Sequence, residues 1–210
     1  DSLLILNGDI EIEGGLKGSV KAFTEKKPSL LKILEVSGIL ILHQVDVQIN
    51  EGTLPIKIND GELVLNNNDV FAEKLVAIVK SNQLVIDGYF KNVVPFCLID
   101  KQHLLIDAKV KSEKIDLNEF LQDYSASTKT DTIYELRLPT NIDFDLMMDI
   151  SSLTFRKFIA KEIKGGLKLK NKKLIAQNFS FRSMDGLVKT NGLIDATNKN
   201  LLVSCDAEVK

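Results

Sequence analysis

Hydrophobic and polar residues alternate with a period of two along most of the chain. Alternation of this kind is typical of β-strands that bury one face and expose the other. It is clearest in residues 141–150, where every second residue is apolar, and it recurs in residues 39–49, 167–170 and 179–182. The pattern therefore predicts an all-β protein.

Turn residues separate these runs about every ten residues, as a series of antiparallel hairpins requires. Asn7-Gly8, Asp60-Gly61 and Asp185-Gly186 are examples. Only two segments carry helix signals: residues 28–34, with a proline near their start, and residues 115–124, where Asp116 or Asn118 supplies a cap. The expected architecture is a set of repeated antiparallel strands with one or two short helices.

A longer internal repeat organises the predicted strands. The segments Gly61–Val110 and Gly166–Val209 contain the same order of runs and turns. Their glycine spacings also agree, with 27 residues from Gly61 to Gly88 and 26 from Gly166 to Gly192. The pattern indicates one β-unit present twice, or two units that share only their patterning, and we favour the true repeat.

The polar stretch Ser125–Thr132 is the best candidate for a linker between the two units. We therefore expect a first β-unit at residues 1–124, with its short helix near residues 115–124, and a second unit at residues 125–210. The chain is expected to be a fragment of a longer protein.

A sheet with one apolar face has to cover that face. A second sheet or a closed roll would do so, and the chain would then be a β-sandwich or β-roll with a closed core. Alternatively, a curved, elongated sheet presents the face as a groove to an apolar ligand. The groove candidates are the apolar positions of the best alternating runs: Ile39, Ile41, Val45, Val47, Ile142, Phe144, Leu146, Met148, Leu167, Leu169, Phe179 and Phe181.

The composition excludes several classes of function but adds little about the fold. Hydrophobic residues make up 44% and charged residues 27%, which argues against disorder. The net charge of −2 comes from interspersed charges, so no basic stripe is available for nucleic acid. No apolar run approaches the roughly 18 residues of a membrane-spanning helix, so we expect any membrane anchor to lie outside this segment.

The sequence contains no catalytic or metal-binding constellation. His43 and His103 lie on different predicted strands, and Cys97 and Cys205, both in apolar contexts, are expected to be buried thiols. His43 is expected in the core or at its rim. Asp143, Asp145 and Asp149 share one face of a predicted strand. A calcium loop needs a tight turn with glycine, which this strand lacks, so a solvated surface is the better interpretation. We therefore expect a protein without catalytic residues, metal or cofactor.

The C-terminal third contains a characteristic series of segments: residues 153–170, residues 174–181 with Phe179-Ser180-Phe181 at their end, Asp185-Gly186, and Gly192-Leu193-Ile194-Asp195. In these segments the chain resembles the C-terminal region of the AsmA family of Gram-negative envelope proteins. Residues 110–121 also look like the recurring strand-to-short-helix junction of that family.

The resemblance implies a periplasmic β-groove that belongs to an inner-membrane-anchored protein related to bridge-like lipid carriers. Such a groove would bind or conduct phospholipid or other acyl-chain lipid and support outer-membrane assembly, and envelope proteins are possible partners. The alternative is a structural β-sandwich scaffold or interaction module of the envelope, with a closed core and no lipid ligand. A glycan-binding or enzyme accessory domain is a weaker third hypothesis, because tryptophan is absent.

Overall fold

The computed structural model describes residues 4–17, 35–48, 55–99, 101–119, 138–198 and 201–210. These residues form eleven β-strands, one six-residue helix, α1, at Val93–Leu98, and a further helical segment at residues 117–119. The strands are β1 (Leu4–Lys17), β2 (Glu35–Gln48), β3 (Ile56–Asn66), β4 (Asp69–Val79), β5 (Asn82–Lys91), β6 (Leu104–Asp116), β7 (Ile142–Phe155), β8 (Phe158–Lys170), β9 (Lys173–Ser183), β10 (Gly186–Asp195) and β11 (Leu202–Val209).

All eleven described strands belong to one curved, open sheet whose spatial order follows the chain from β1 to β11. Neighbouring strands are antiparallel, except that β6 and β7 are parallel. The prediction of repeated antiparallel strands in a curved, elongated sheet is therefore confirmed. The strong alternation explains why hairpins dominate, since each strand can pair at once with the next one along the chain.

The parallel pair marks the junction between the two predicted units. Its register sets Leu104 opposite Ile142 and Ile115 opposite Leu153, so one continuous sheet joins the units. The predicted linker at Ser125–Thr132 and the predicted helix at residues 28–34 lie outside the described residues. The division of the chain at residue 124 stays a prediction.

The two predicted repeats share an unusual local structure. Lys74 in β4 and Asn178 in β9 both have positive φ angles, of 50° and 51°. The backbone N–H of Lys74 donates to Asp87 Oδ1 at 2.7 Å, and the backbone N–H of Asn178 donates to Asn191 Oδ1 at 2.8 Å. Both acceptor residues directly precede a glycine, Gly88 or Gly192. The same bulge with the same side-chain bond supports the interpretation of Gly61–Val110 and Gly166–Val209 as two copies of one unit.

Bulges of this kind change which residues face the core. Leu42 and Val45 in β2 are both buried although they are three residues apart, because Gln44 between them has a φ of 50°. Glu162 in β8, with a φ of 53°, separates two buried residues in the same way. An extra residue at a bulge shifts the alternation by one position and increases the local twist. The apolar face therefore continues along each of these strands, although the positions of its residues change from even to odd numbers, or the reverse, at the bulge.

Two predicted local structures differ from the observed ones. The segment around Cys97 was expected to be a strand and is helix α1. Pro95 is tolerated there because it lies in the first helical turn, where its missing N–H is not needed. The predicted helix near residues 115–124 begins only after β6: residues 117–119 are helical, and Asp116 Oδ1 accepts from the Asn118 backbone N–H at 2.9 Å. Asp116 is thus the predicted cap.

Candidate functional site

The candidate site is the apolar face of the sheet. Residues directly opposite each other on paired strands project their side chains from the same face. Following these pairs across the sheet gives one unbroken apolar row that crosses nine strands and, at about 4.8 Å per strand, extends for roughly 38 Å. The row consists of Leu65, Val70, Phe90, Ile106, Phe144, Leu169, Leu174, Ile194 and Val203.

A second row, beside the first, contains several very small residues. Ala72, Gly88 and Ala108 are successive partners on β4, β5 and β6, and Ala176 and Gly192 occupy the same row on β9 and β10. A Cβ atom at Gly88 would lie 2.5 Å from the Cβ of Ala108, so no larger residue fits there. Ala72 is 0% exposed and Ala108 is 4% exposed. Ala72 packs with Leu63, Leu75 and Phe90 in one apolar cluster, so larger apolar side chains cover this part of the row.

Burial of this face is uneven from strand to strand. Five of the residues in β4 are buried, whereas all eight residues of β11 are exposed. On the apolar side of β11, Val203 is 60% exposed and Val209 is 70% exposed. At the opposite edge, Ile12 pairs with Leu40 on the same face and is 71% exposed. The apolar face is packed in the middle and opens to solvent at both edges of the sheet.

Most groove candidates lie on this face. Val45 and Leu169 are each only 1% exposed, so both belong to the packed interior. Val45 and Val47 pack in one apolar cluster, around Leu42, and Met148, Phe179 and Phe181 pack in a second, around Ile150 and Ile163. The remaining candidates on this face are partly exposed and paired into its rows: Ile142, Phe144, Leu146 and Leu167.

Ile39 and Ile41 lie on the other face. Their cross-strand partners are Glu13 and Glu11 on β1, and Val64 and Glu62 on β3. The sequence grouped these isoleucines with Val45 and Val47 because all four occupy odd-numbered positions. The bulge at Gln44 breaks that relation, which no local pattern reveals.

The sequence analysis overlooked other members of the apolar face. Apolar and polar residues alternate in their strands too, but only in short or irregular runs. Period-two spacing within β3, β5, β6, β10 and β11 was therefore the one sequence signal that could have identified these residues. The strand register adds Leu65, Phe90, Ile106, Val188, Ile194 and Val203.

The opposite face, here called the outer face, is largely charged. Asp145 Oδ2 accepts from Lys168 Nζ at 2.7 Å, and Asp149 lies 3.8 Å from Lys164. The hydrogen bond from Lys168 to Asp145 and the charges of Asp145 and Asp107 raise the pKa of Lys168. Asp145 and Asp149 are exposed, which agrees with the predicted solvated strand face.

His43 and Cys205 are more exposed than the sequence suggested. His43 lies on the outer face, where its Nδ1 is 2.9 Å from Asp60 Oδ1, and this hydrogen bond raises the pKa of His43. Cys205 is exposed because β11 is an edge strand, and its Sγ lies 3.1 Å from Thr190 Oγ1. The prediction of a buried thiol is wrong for Cys205, and the side chain of Cys97 lies outside the described residues.

Within the described residues, no group of three or more His, Cys, Asp or Glu side chains is arranged to hold a metal ion. The described helices are also all too short or too polar to cross a membrane. Comparisons with protein-family models, with curated proteins and with solved structures found no match for this chain.

Proposed function

We propose that the chain is a non-enzymatic β-groove segment that holds the acyl chains of phospholipid against its apolar face. The observation that carries this proposal is the apolar row that crosses nine of the eleven described strands without a polar interruption, on a face that opens to solvent at both edges of the sheet. Apolar surface of this kind gains about 25 cal/mol for each Å² removed from water, so an acyl chain lying along it is stabilised.

The architecture supports a ligand rather than a second protein layer as the cover. The described strands form one sheet, with no second sheet stacked on it. Phe144, Leu146 and Leu167 remain partly exposed although they lie on the apolar side. An apolar face that the described part of the chain covers incompletely supports an interaction site.

The resemblance to the AsmA family adds the cellular setting. On that basis we propose a periplasmic location, attachment to the inner membrane through a segment outside this one, and a role in outer-membrane assembly. Cell fractionation of the full-length protein tests the location, since the proposal requires it in the inner-membrane fraction with this segment accessible to protease from the periplasmic side only.

The ligand is tested by extracting lipid from protein purified under detergent-free conditions and analysing it by mass spectrometry. The key variant is Phe144→Asp, with Met147→Asp as its matched control. The two residues lie on the same strand, but Met147 is 57% exposed on the outer face. Phospholipid should accompany the natural protein and Met147→Asp, and should be lost from Phe144→Asp.

A charge at the edge of the sheet provides a second variant that does not depend on core packing. Val203→Asp places a carboxylate on the apolar side of an exposed strand, so the fold should tolerate it while lipid retention falls. Urea denaturation of each variant separates loss of ligand from loss of fold.

The competing function is a structural scaffold whose core is closed. The tight packing around Ala72 and Leu169 favours it locally. Under this alternative, Phe144→Asp would bury a charge and cost several kcal/mol of unfolding free energy. Protein that is reproducibly free of lipid, together with such a loss of stability, would overturn the groove proposal.

A further inference from the structure

An apolar strip crosses the outer face, away from the proposed groove. It consists of Ile39, Val64, Phe71 and Tyr89, which are directly opposite one another on the consecutive strands β2 to β5. Val64 is 41% exposed and Tyr89 is 55% exposed, and the ring centroids of Phe71 and Tyr89 are 4.8 Å apart. None of these four side chains belongs to either apolar cluster of the described residues, so core packing within that part of the chain does not account for the strip.

Carboxylates stand at both ends of the outer strip. Glu13 is the cross-strand partner of Ile39 at one end, and Asp107 is the partner of Tyr89 at the other. These two carboxylates are five strand spacings apart, which is about 24 Å along the sheet.

More carboxylates run alongside the outer strip. Ile41 lies between Glu11 on β1 and Glu62 on β3, and Glu62 is directly opposite Glu73 on β4. Like charges opposite each other on paired strands are destabilising. None of the ion pairs among the described residues involves Glu62 or Glu73, so the repulsion between them is not relieved within that part of the chain.

The charge of the border decides which partner fits. Lys91 and Lys109 also lie on this face, beside Tyr89 and Asp107. Carboxylates outnumber them along the border, so anionic lipid headgroups and nucleic-acid phosphates would be repelled by Glu13, Glu62, Glu73 and Asp107. A cationic protein segment would instead neutralise these groups while its apolar side chains cover the strip. A helix of about 16 residues spans roughly 24 Å, and one apolar stripe along it meets the four side chains in turn.

We propose that the outer strip is a docking site for a basic amphipathic helix of another protein, with an apolar stripe over Ile39, Val64, Phe71 and Tyr89 and lysine or arginine at both ends. The site is independent of the lipid groove, because it uses the opposite face of the same strands. A segment of this protein could therefore carry lipid on one face and hold a partner on the other.

A synthetic peptide of about 18 residues provides the probe, with leucines and one tryptophan on its apolar stripe and lysines elsewhere. The chain has no tryptophan, so emission from the peptide alone can be followed. Binding should shift this emission to the blue and weaken as salt rises. A peptide of the same composition in scrambled order, and one with lysines replaced by glutamates, should bind at least about tenfold more weakly.

Variants of the chain assign the binding to the outer strip. Val64→Ser with Tyr89→Ser should weaken binding about tenfold or more, whereas Met184→Ser, a change at a side chain that is 92% exposed on a hairpin tip, should leave it unchanged. Glu62→Gln with Glu73→Gln should weaken binding and flatten its dependence on salt. The proposal would be overturned if the scrambled peptide bound equally well, or if Phe144→Asp lost binding while the strip variants kept it. Binding of anionic phosphatidylglycerol vesicles through the same residues would also overturn it.

Discussion

Asn82 offers the sharpest test of how this sheet is held together. The side chain is 1% exposed at the turn between β4 and β5. Its Oδ1 accepts from the backbone N–H of Asp116 at 2.6 Å, and its Nδ2 donates to Glu119 Oε2 at 2.9 Å and to the Val79 carbonyl at 3.3 Å. The amide of Asn82 therefore ties this turn to the end of β6 and to the residues that follow it.

Asn82→Ala removes all three bonds at once. The Asp116 amide loses its partner at a cost of about 1–3 kcal/mol, and loss of the bond to the Glu119 carboxylate adds about 1–2 kcal/mol. Glu119 keeps two bonds from Ser81, at 3.1 and 2.8 Å from its backbone nitrogen and Oγ, so its carboxylate is not stranded. We expect the unfolding free energy to fall by about 2–5 kcal/mol in urea denaturation.

The neighbouring exposed residue supplies the control, since Gln83→Ala should change stability by less than about 0.5 kcal/mol. Asn82→Asp keeps the acceptor for the Asp116 amide but sets a second carboxylate against Glu119. Because like charges raise the pKa of such a pair, stability should be low at neutral pH and recover as pH falls and one carboxyl binds a proton. Adding Glu119→Gln should relieve the repulsion at neutral pH. This reasoning would be refuted if Asn82→Ala lowered the unfolding free energy by less than about 1 kcal/mol, or if the stability of Asn82→Asp did not change with pH.

Three further predictions follow from single sites. Leu169→Ala, at a residue that is 1% exposed, should cost about 2–5 kcal/mol in urea denaturation, and a smaller loss would mean that the site is loosely packed. Hydrogen bonds from Thr197 and Lys173 lower the pKa of Asp195 from 3.8 to about 2. Asp195 therefore stabilises the folded state fully at pH values above its pKa in the unfolded chain, and this contribution is lost as the pH falls through about 2. Asp195→Asn should flatten the pH dependence of unfolding in that interval; an unchanged slope would contradict the assignment. Asp60→Asn should lower the pKa of His43 toward 6.5 in an NMR titration, whereas an unshifted midpoint would rule out Asp60 as the cause.

Local patterning predicted the strands well because the period of a strand is a local property. In β7, every second side chain from Ile142 to Ile150 lies on the apolar face, as the sequence indicates, and Asp145 and Asp149 face solvent beside lysines of β8. No bulge interrupts that stretch, so the alternation seen in the sequence survives in the structure.

The candidate site was predicted less completely. Ile39 and Ile41 were assigned to the groove, yet they lie on the outer face, because Gln44 adopts a left-handed conformation that costs about 1 kcal/mol or more in isolation. Asparagine and glycine favour that conformation, whereas glutamine does not, so the residue type at position 44 did not predict a bulge. Cys205 shows the same limit from another side, since its exposure depends on β11 being the last described strand of the sheet.

The sequence by itself predicted the strands and the hairpin turns, and it contains no recognisable catalytic motif, because each of these features is encoded within short stretches of chain. The tertiary structure alone decided which apolar residues share a face, that β6 and β7 pair in parallel, and where the apolar surface opens. The physical reason is that strand register and backbone bulges are set by cross-strand hydrogen bonds and packing between residues far apart in the chain. A shift of one residue exchanges the two faces, so the same alternation that identifies a strand cannot say which side of the sheet carries its function.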